Sequence, residues 1–310
     1  MAKTAVKVSV IGAGFVGSTT AYTLMMKGIA SEIVLIDVAA EKAEGEALDI
    51  KQGVPFAPNV KVYSGDYSAT AGSDLVIITA GTNQKPGETR LDMVSRNAAI
   101  MTGIAGEIAK YAPNAIALII ANPVDVMARV FEEVSGFPRK RVIGSGTNLD
   151  SARFRYILAT RLGVDPHDVH GYILGEHGDS EFVAWSTVNV AGMNIDETEK
   201  EFGEQDREGI ENKTKNAAYE IISRKGATYY AIAMSAARIS EAIIRNEHAI
   251  IPLSVRMTGE YGLNDVYISL PTVVGEHGIE KVLTPSLTDE EIVKIQNSAK
   301  ILSDAHETLK

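Results

Sequence analysis

Of the chain's six histidines, two sit in one repeated tetrapeptide: Gly175-Glu176-His177-Gly178 and Gly275-Glu276-His277-Gly278. Imidazole titrates near neutral pH, so a histidine is the first candidate for moving a proton. The repeat cannot choose between its two copies, but their surroundings can. The second copy follows the strand-like run Val266 to Val274 and precedes Ile279 to Leu283, which is the pattern of a hairpin turn. The first continues as Asp179-Ser180-Glu181 and lies downstream of Asp150 and Arg153, which share a helical face at i and i+3. A carboxylate beside an imidazole raises its pKa and fixes its tautomer. A guanidinium grips a substrate carboxylate through two parallel hydrogen bonds. Taken alone, the i,i+3 pair also describes a weak surface ion pair.

A second set of residues suits a phosphate. Gly12-Ala13-Gly14-Phe15-Val16-Gly17 is a G-x-G-x-x-G placed between a β-branched run and a helix. Small glycines let the backbone approach a pyrophosphate, and the helix N-terminus receives its charge. Asp37 ends the next apolar run, 20 residues after Gly17. A carboxylate there accepts from a ribose 2′-hydroxyl and repels a 2′-phosphate, which predicts NAD rather than NADP. A third candidate is the loop Gly81 to Arg90, at the carboxyl end of a strand, where open α/β sheets place ligands. Its glycines and proline suit hinges, and Arg90 could swing over a carbonyl oxygen. The same composition also fits a solvated surface loop.

The elements that carry these residues alternate in the first half. Strands are predicted at Val6 to Ile11, Glu32 to Asp37, Val60 to Tyr63, Asp74 to Ala80, Ala115 to Ala121 and Arg141 to Gly144. Helices are predicted at Phe15 to Lys27, Glu41 to Gln52, Asp92 to Tyr111 and Val124 to Ser135. Strands apolar on both faces, alternating with helices, indicate an α/β fold with a doubly wound parallel sheet covered on both sides. After about residue 145 the pattern becomes mixed α+β. Helices are expected at Leu149 to Leu162, Arg207 to Arg224 and Thr228 to Ile244, and strands at Val169 to Leu174, Phe182 to Val190, Ile250 to Met257 and Val266 to Val274. Thr288 to Glu291 has capping-box spacing and opens a final amphipathic helix. The predicted division is residues 1–145 for a Rossmann-type nucleotide domain and 146–310 for a catalytic domain, with the site in the crevice between them.

Composition narrows the function. The chain has 310 residues, 45% hydrophobic and 23% charged, as an ordinary globular protein does. With no cysteine, a zinc-thiolate centre, a disulfide scaffold and a cysteine nucleophile are excluded, and no metal is expected. The net charge of -10 argues against general nucleic-acid binding. It also means that an anionic substrate needs local arginines to overcome the overall field. Without a signal-like start or a long apolar run, the expected location is the cytoplasm.

These motifs together resemble the L-lactate and malate dehydrogenase family, its bacterial L-lactate-type members most closely, over almost the whole chain. The resemblance rests on the glycine loop and on A-G-x-x-Q-K-P-G-E-T-R at Ala80 to Arg90. It continues through N-P-V-D at Asn122 to Asp125 and G-S-G-T-x-L-D-S-A-R-F-R at Gly144 to Arg155. G-E-H-G-D-S-E at Gly175 to Glu181 and K-G-A-T-Y-Y-A at Lys225 to Ala231 complete it. It implies an NAD-dependent enzyme interconverting pyruvate and L-lactate. His177 would be the acid and base, Asp150 its partner, Arg153 the holder of the substrate carboxylate and Arg90 the group polarising the carbonyl. Asn122 would lie by both substrate and cofactor, Ser145 by the nicotinamide, Gly81 by the cofactor and Thr228 along the pocket. Thr228 also fits a helix start with its hydroxyl turned to backbone.

Gln84 bears on the substrate. Malate-type members carry an arginine there, so a neutral glutamine leaves a second substrate carboxylate unpaired, which favours pyruvate. Malate or a bulkier 2-oxo acid is the alternative, and a non-catalytic NAD-binding sensor is the reading from another class. The resemblance further implies a homotetramer in which Arg155 and His170 meet across a two-fold interface and bind fructose 1,6-bisphosphate. Arg155 lies about 200° around the helix from Arg153, away from the catalytic side.

Overall fold

The computed structural model describes residues 5–82, 90–198 and 202–309, with only the backbone described at 90–92. The first half builds β1 (Lys7–Ile11), α1 (Phe15–Lys27), β2 (Glu32–Ile36), α2 (Ala40–Gln52), β3 (Lys61–Ser64) and β4 (Leu75–Ile78). It continues with α3 (Arg90–Tyr111), β5 (Ile116–Ile119), α4 (Val124–Ser135) and β6 (Val142–Gly144). These six strands are mutually parallel, in the order β3-β2-β1-β4-β5-β6. The order reverses between β1 and β4, and a ligand crevice opens at the carboxyl ends of strands flanking such a switch point. The runs Leu75-Val76-Ile77-Ile78 and Ile116-Ala117-Leu118-Ile119 are buried on both faces, as a sheet sandwiched by helices requires. Each such fully buried aliphatic side chain contributes roughly 1.5–3 kcal/mol.

The second half begins with α5 (Asn148–Leu162), followed by the short strands β7 (Val169–His170), β8 (Ile173–Leu174), β9 (Phe182–Val183), β10 (Asn189–Val190) and β11 (Met193–Asn194). Then come α6 (Ile195–Thr198), α7 (Glu204–Lys225), α8 (Tyr230–Ile244), β12 (Ala249–Thr258), β13 (Asn264–Gly275), β14 (Gly278–Val282) and α9 (Asp289–Glu307). Strands β12, β13 and β14 do not form a sheet of their own. Antiparallel β12 meets β6 at Ser254 and Gly144, and a nine-stranded sheet runs through both halves. The long strands expected at Val169 to Leu174 and Phe182 to Val190 are each broken in two. A Cβ on Gly171 would come within 2.9 Å of both Phe154 and Val188, so the chain turns tightly there. A 3-10 turn at Trp185–Thr187 interrupts the second run.

Other boundaries follow sequence signals. Gly28 closes α1 in the left-handed conformation, its N–H donating to the carbonyls of Leu24 and Met25. The predicted capping box opens α9: the Glu291 N–H donates to Thr288 Oγ1, and the Thr288 N–H to Glu291 Oε2. Helix α8 begins at Tyr230 rather than at the expected Thr228. No helix among the described residues is long and apolar enough to cross a membrane.

Candidate active site

The first G-E-H-G lies between β8 and β9, and the first turn of α5 faces it. His177 Nδ1 is 2.6 Å from Asp150 Oδ2, and Arg153 Nη1 donates to Asp150 Oδ1 at 2.9 Å. Asp150 is buried, while the His177 side chain keeps 24% of its surface exposed. The i,i+3 pair is therefore not a surface ion pair. One carboxylate is shared between an imidazole and a guanidinium. The turn itself is tied down from below, because the His177 N–H donates to Asp125 Oδ2 at 2.9 Å.

Electrostatics follow from this packing. Burial works against a charged His177, but the Asp150 carboxylate, through charge and hydrogen bond, outweighs it, with Glu181 and Asp125 adding; the pKa rises to about 9. Burial also works against ionised Asp150, yet His177 and Arg153 hold its carboxyl below the usual range. An ionised Asp150 only accepts, so Nδ1 carries a hydrogen and Nε2 is left for a ligand. Burial drives Asp125 up to about 6, and its Oδ1 has no hydrogen-bond partner among the described residues.

His277 occupies the turn between β13 and β14, with a largely exposed side chain beside Glu276. It shares a cleft with Asp74, Asn114 and Lys140, which precede β4, β5 and β6. That is the amino end of the parallel strands, opposite the crevice. The two identical tetrapeptides thus lie in different settings, one joining β8 to β9 of a two-stranded sheet and the other joining β13 to β14 of the nine-stranded one.

At the carboxyl edge, the glycine loop runs from β1 into α1. Gly12 has φ +100°, and a Cβ there would sit 2.7 Å from the Ala80 nitrogen. At Gly17 a Cβ would collide with the Gly12 carbonyl, so β1 and α1 pack only with glycine. Gly14 faces open space. Asp37 is clamped by backbone, with Oδ2 accepting from the Ala13 N–H at 2.6 Å and Oδ1 from the Ala39 N–H at 2.9 Å. Gly12, Gly14, Asp37, Gly81, Thr82 and Ile100 line a cleft of about 630 Å³. A glycine-floored cleft with a fixed carboxylate at the end of β2 suits a dinucleotide with free ribose hydroxyls. Val16 is half-buried behind the loop, and the exposed Phe15 stacks on Tyr229 at 5.2 Å between centroids. That contact links the loop to the α7–α8 connection, where Thr228 is half-buried.

Asn122, Ser145 and the start of α3 lie along the same edge. Asn122 follows β5 and is exposed, and Ser145 follows β6, its N–H donating to the Ile119 carbonyl at 2.8 Å. Arg90 opens α3. Gln84 lies outside the described residues. Arg155 and His170 line a separate cleft of about 280 Å³ together with Arg238. Arg155 Nη2 donates to the Pro166 carbonyl at 3.1 Å, and its Nε is buried without a hydrogen-bond partner among the described residues.

Three residues escaped the sequence reading as individuals. Asn97, on α3, ties two strand ends together. Its Oδ1 accepts from the Thr82 N–H at 2.9 Å, and its Nδ2 donates to the carbonyls of Thr82 and Asn122 at 3.0 and 2.8 Å. The available signal was its place two helical turns beyond Arg90 on the same face. Asp125 and Glu181 sit within the N-P-V-D and G-E-H-G-D-S-E motifs, which by themselves assign neither a role. Glu181 is buried, and one ligand atom each of Asp150, His177 and Glu181 lies within 4.8 Å of the others. Metal-ligating groups share such spacing, but the guanidinium on Asp150 adds a positive charge where a cation would sit.

A crevice for a dinucleotide beside an imidazole that holds a proton and an arginine that can hold an acid defines a dehydrogenase class. Two family profiles match the chain: lactate/malate dehydrogenase, NAD binding domain, over residues 6–144, and lactate/malate dehydrogenase, alpha/beta C-terminal domain, over residues 147–310. The chain belongs to the lactate/malate dehydrogenase family and is an NAD-dependent oxidoreductase. It is 52% identical over 307 residues to the L-lactate dehydrogenase of Acetivibrio thermocellus, covering 98% of this chain and 97% of that protein. With the L-lactate dehydrogenase of Thermoanaerobacter pseudethanolicus it is 52% identical over 311 residues, covering 98% and 99%. Among solved structures, the ligands-bound minor L-lactate dehydrogenase of Enterococcus mundtii superposes with a TM-score of 0.97 at 46% identity, covering 99% of each chain. A lactate dehydrogenase from a Medee basin deep-sea metagenome library gives 0.96 at 44% identity, covering 100% of this chain and 99% of that one.

Proposed function

We propose that this chain is an L-lactate dehydrogenase that reduces pyruvate to L-lactate, and reverses the reaction, with His177 as acid and base. The observation that carries this reading is the chain His177–Asp150–Arg153, built on a buried Asp150, which sets a proton donor beside a carboxylate receptor. Among the described residues, Arg153 spends one of its five N–H donors on Asp150 and keeps others for the substrate's carboxylate. Arg90 draws electron density towards the ketone oxygen. NADH, when bound, supplies the hydride that adds to the carbonyl carbon. His177 Nε2 gives its proton to the oxygen as negative charge develops there, and the neutral imidazole then recovers a proton from solvent. In the reverse direction neutral His177 takes the hydroxyl proton. Positioning and fixed charge supply most of the acceleration. Gly12, Gly14, Phe15, Val16, Gly17, Asp37, Gly81, Asn122 and Ser145 would hold the cofactor, and Thr228 would line the pocket.

The test compares NADH oxidation on pyruvate, oxaloacetate and a bulkier 2-oxo acid. Pyruvate should be turned over with the highest kcat/KM; a preference for either of the others would reject the lactate reading. Gln84 is our selector. Gln84→Arg supplies a cation for a second carboxylate, so the ratio of kcat/KM for oxaloacetate to that for pyruvate should rise by orders of magnitude. An unchanged ratio would remove Gln84 from that role.

The finer reading divides the chain into a nucleotide half, 1–145, and a substrate half, 146–310, assembled as a cytoplasmic homotetramer. The cysteine-free composition suits a reducing compartment. We infer that fructose 1,6-bisphosphate binds through Arg155 and His170. Support comes from their sharing one cleft with Arg238, and from the buried Arg155 Nε. A phosphate dianion shifts activity only by binding one subunit arrangement more tightly. Millimolar effector should lower the pyruvate concentration at half-saturation in the wild type and lose its effect in Arg155→Gln and His170→Ala. A wild type that responds in neither substrate affinity nor assembly would refute the regulatory part alone.

A further inference from the structure

The reduction chemistry uses Asp150 as the partner of His177 and leaves a second acid in the same cluster unused. Glu181 lies four residues after His177 and is buried. It closes the tight turn after His177, its own N–H donating to the Gly178 carbonyl at 3.2 Å. One atom each of Asp150, His177 and Glu181 falls within 4.8 Å of the other two. Two carboxylates and one imidazole are thus packed where water screens poorly. A charge at that distance acts far more strongly there than in bulk solvent.

We propose that Glu181 is a positioning residue that, together with Asp150, holds the proton on His177 into the alkaline range and so sets the pH at which pyruvate reduction falls away. The inference rests on the dehydrogenase reading above. The groups facing Glu181 are Asp150 and Arg153 from α5, Lys215 from α7, and His177 from its own turn. Their signs are mixed, and the balance is informative. Burial raises the Glu181 pKa, the nearby Asp150 raises it further, and His177, Lys215 and Arg153 pull it back, leaving it at about 8, so Glu181 carries its charge in the alkaline range where His177 gives up its proton. Once ionised, Glu181 bears on the imidazolium from within 4.8 Å, beside the hydrogen-bonded Asp150. Its charge is among those that raise His177. When a substrate carboxylate takes up part of the Arg153 charge, both acids bear more heavily on the imidazolium.

The sign of the effect is definite. Reduction needs protonated His177, so kcat/KM for pyruvate falls as pH climbs through the His177 pKa; oxidation needs the neutral form and rises over the same range. Without the Glu181 charge that pKa drops, and both profiles move to lower pH.

The experiment records kcat/KM against pH for pyruvate reduction and for lactate oxidation in the wild type, Glu181→Gln and Glu181→Asp, with NADH affinity measured alongside. For Glu181→Gln we expect both midpoints to fall by about one pH unit, with NADH affinity unchanged; Glu181→Asp, which keeps the charge, should hold the wild-type midpoint. A uniform loss of rate at every pH, with midpoints unmoved, would mean a merely structural role and overturn the proposal. Should Glu181→Gln not fold, Glu181→Ser must show the same downward shift, and an unmoved midpoint there is equally fatal. A wild type inactive on pyruvate would instead overturn the dehydrogenase reading, which separates the two failures.

Discussion

His177→Ala should cut kcat for pyruvate reduction by about 10²–10⁴-fold, the usual contribution of a placed general acid, while NADH binds with near-normal affinity. His277→Ala should leave turnover close to wild type. The sequence repeats the same four residues around both histidines, so local chemistry is held constant and only placement differs. His177 bonds to Asp150, and Asp125 fixes its backbone. His277 is solvent-exposed at the amino edge of the sheet, across the strands from the glycine loop. Steady-state rates and NADH fluorescence titrations on both variants check this. Loss of activity in His277→Ala with retention in His177→Ala would reverse the assignment.

What could be read in the sequence was what local rules govern. Five of the six parallel strands announce themselves because they are short, largely apolar and followed by a helix; β3, with exposed Lys61, is followed only by a 3-10 turn at Tyr67–Thr70. The glycine loop is recognisable because Gly12 and Gly17 answer steric demands between neighbouring elements. The capping box at Thr288 is a four-residue signal and opens its helix where expected. Pairing between distant segments was not legible. Nothing near Ser254 says that it will lie against Gly144, so the extension of the sheet by β12, β13 and β14 was missed. The breaks at Gly171 and at Trp185–Thr187 come from packing against Phe154 and Val188 and from a local turn, while the apolar pattern runs straight through them.

The site shows the same division. Asp150 and Arg153 share a helical face by spacing alone, but whether that face is buried decides between a weak surface pair and a catalytic support. The fold decides for burial. Asn97 and Asp125 act through partners 25 and 52 residues away, and Glu181 meets Asp150 from 31 residues further along the chain, beyond the reach of any local pattern.

Asp150→Asn should lower kcat/KM for pyruvate at neutral pH by roughly 10²-fold or more and bring the midpoint of its pH profile down from near 9. The carboxylate accepts from Nδ1 at 2.6 Å and from Arg153 at 2.9 Å, both in a buried setting. An amide of the same shape keeps the packing but removes the charge. His177 then retains the burial that disfavours its protonated form and loses the main force opposing it, so its pKa should fall to its ordinary value of about 6.5 or below. At neutral pH most of the enzyme would carry a neutral imidazole, unable to donate. The amide NH₂ can also donate to Nδ1, which stabilises the tautomer with the hydrogen on Nε2. Arg153 loses its anchor too, so KM for pyruvate should rise alongside the fall in kcat. Stability changes with a predictable sign. In the wild type, His177 has a folded-state pKa raised above its unfolded value, so its contribution is fully present below about pH 6.5 and is lost as pH climbs through about 9. The difference in melting temperature between wild type and variant should therefore be largest at mildly acidic pH and shrink in alkali. Rate profiles and melting curves between pH 5 and 10 test both halves of this expectation. A midpoint that stays near 9 in Asp150→Asn would show that some group other than Asp150 holds the proton on His177.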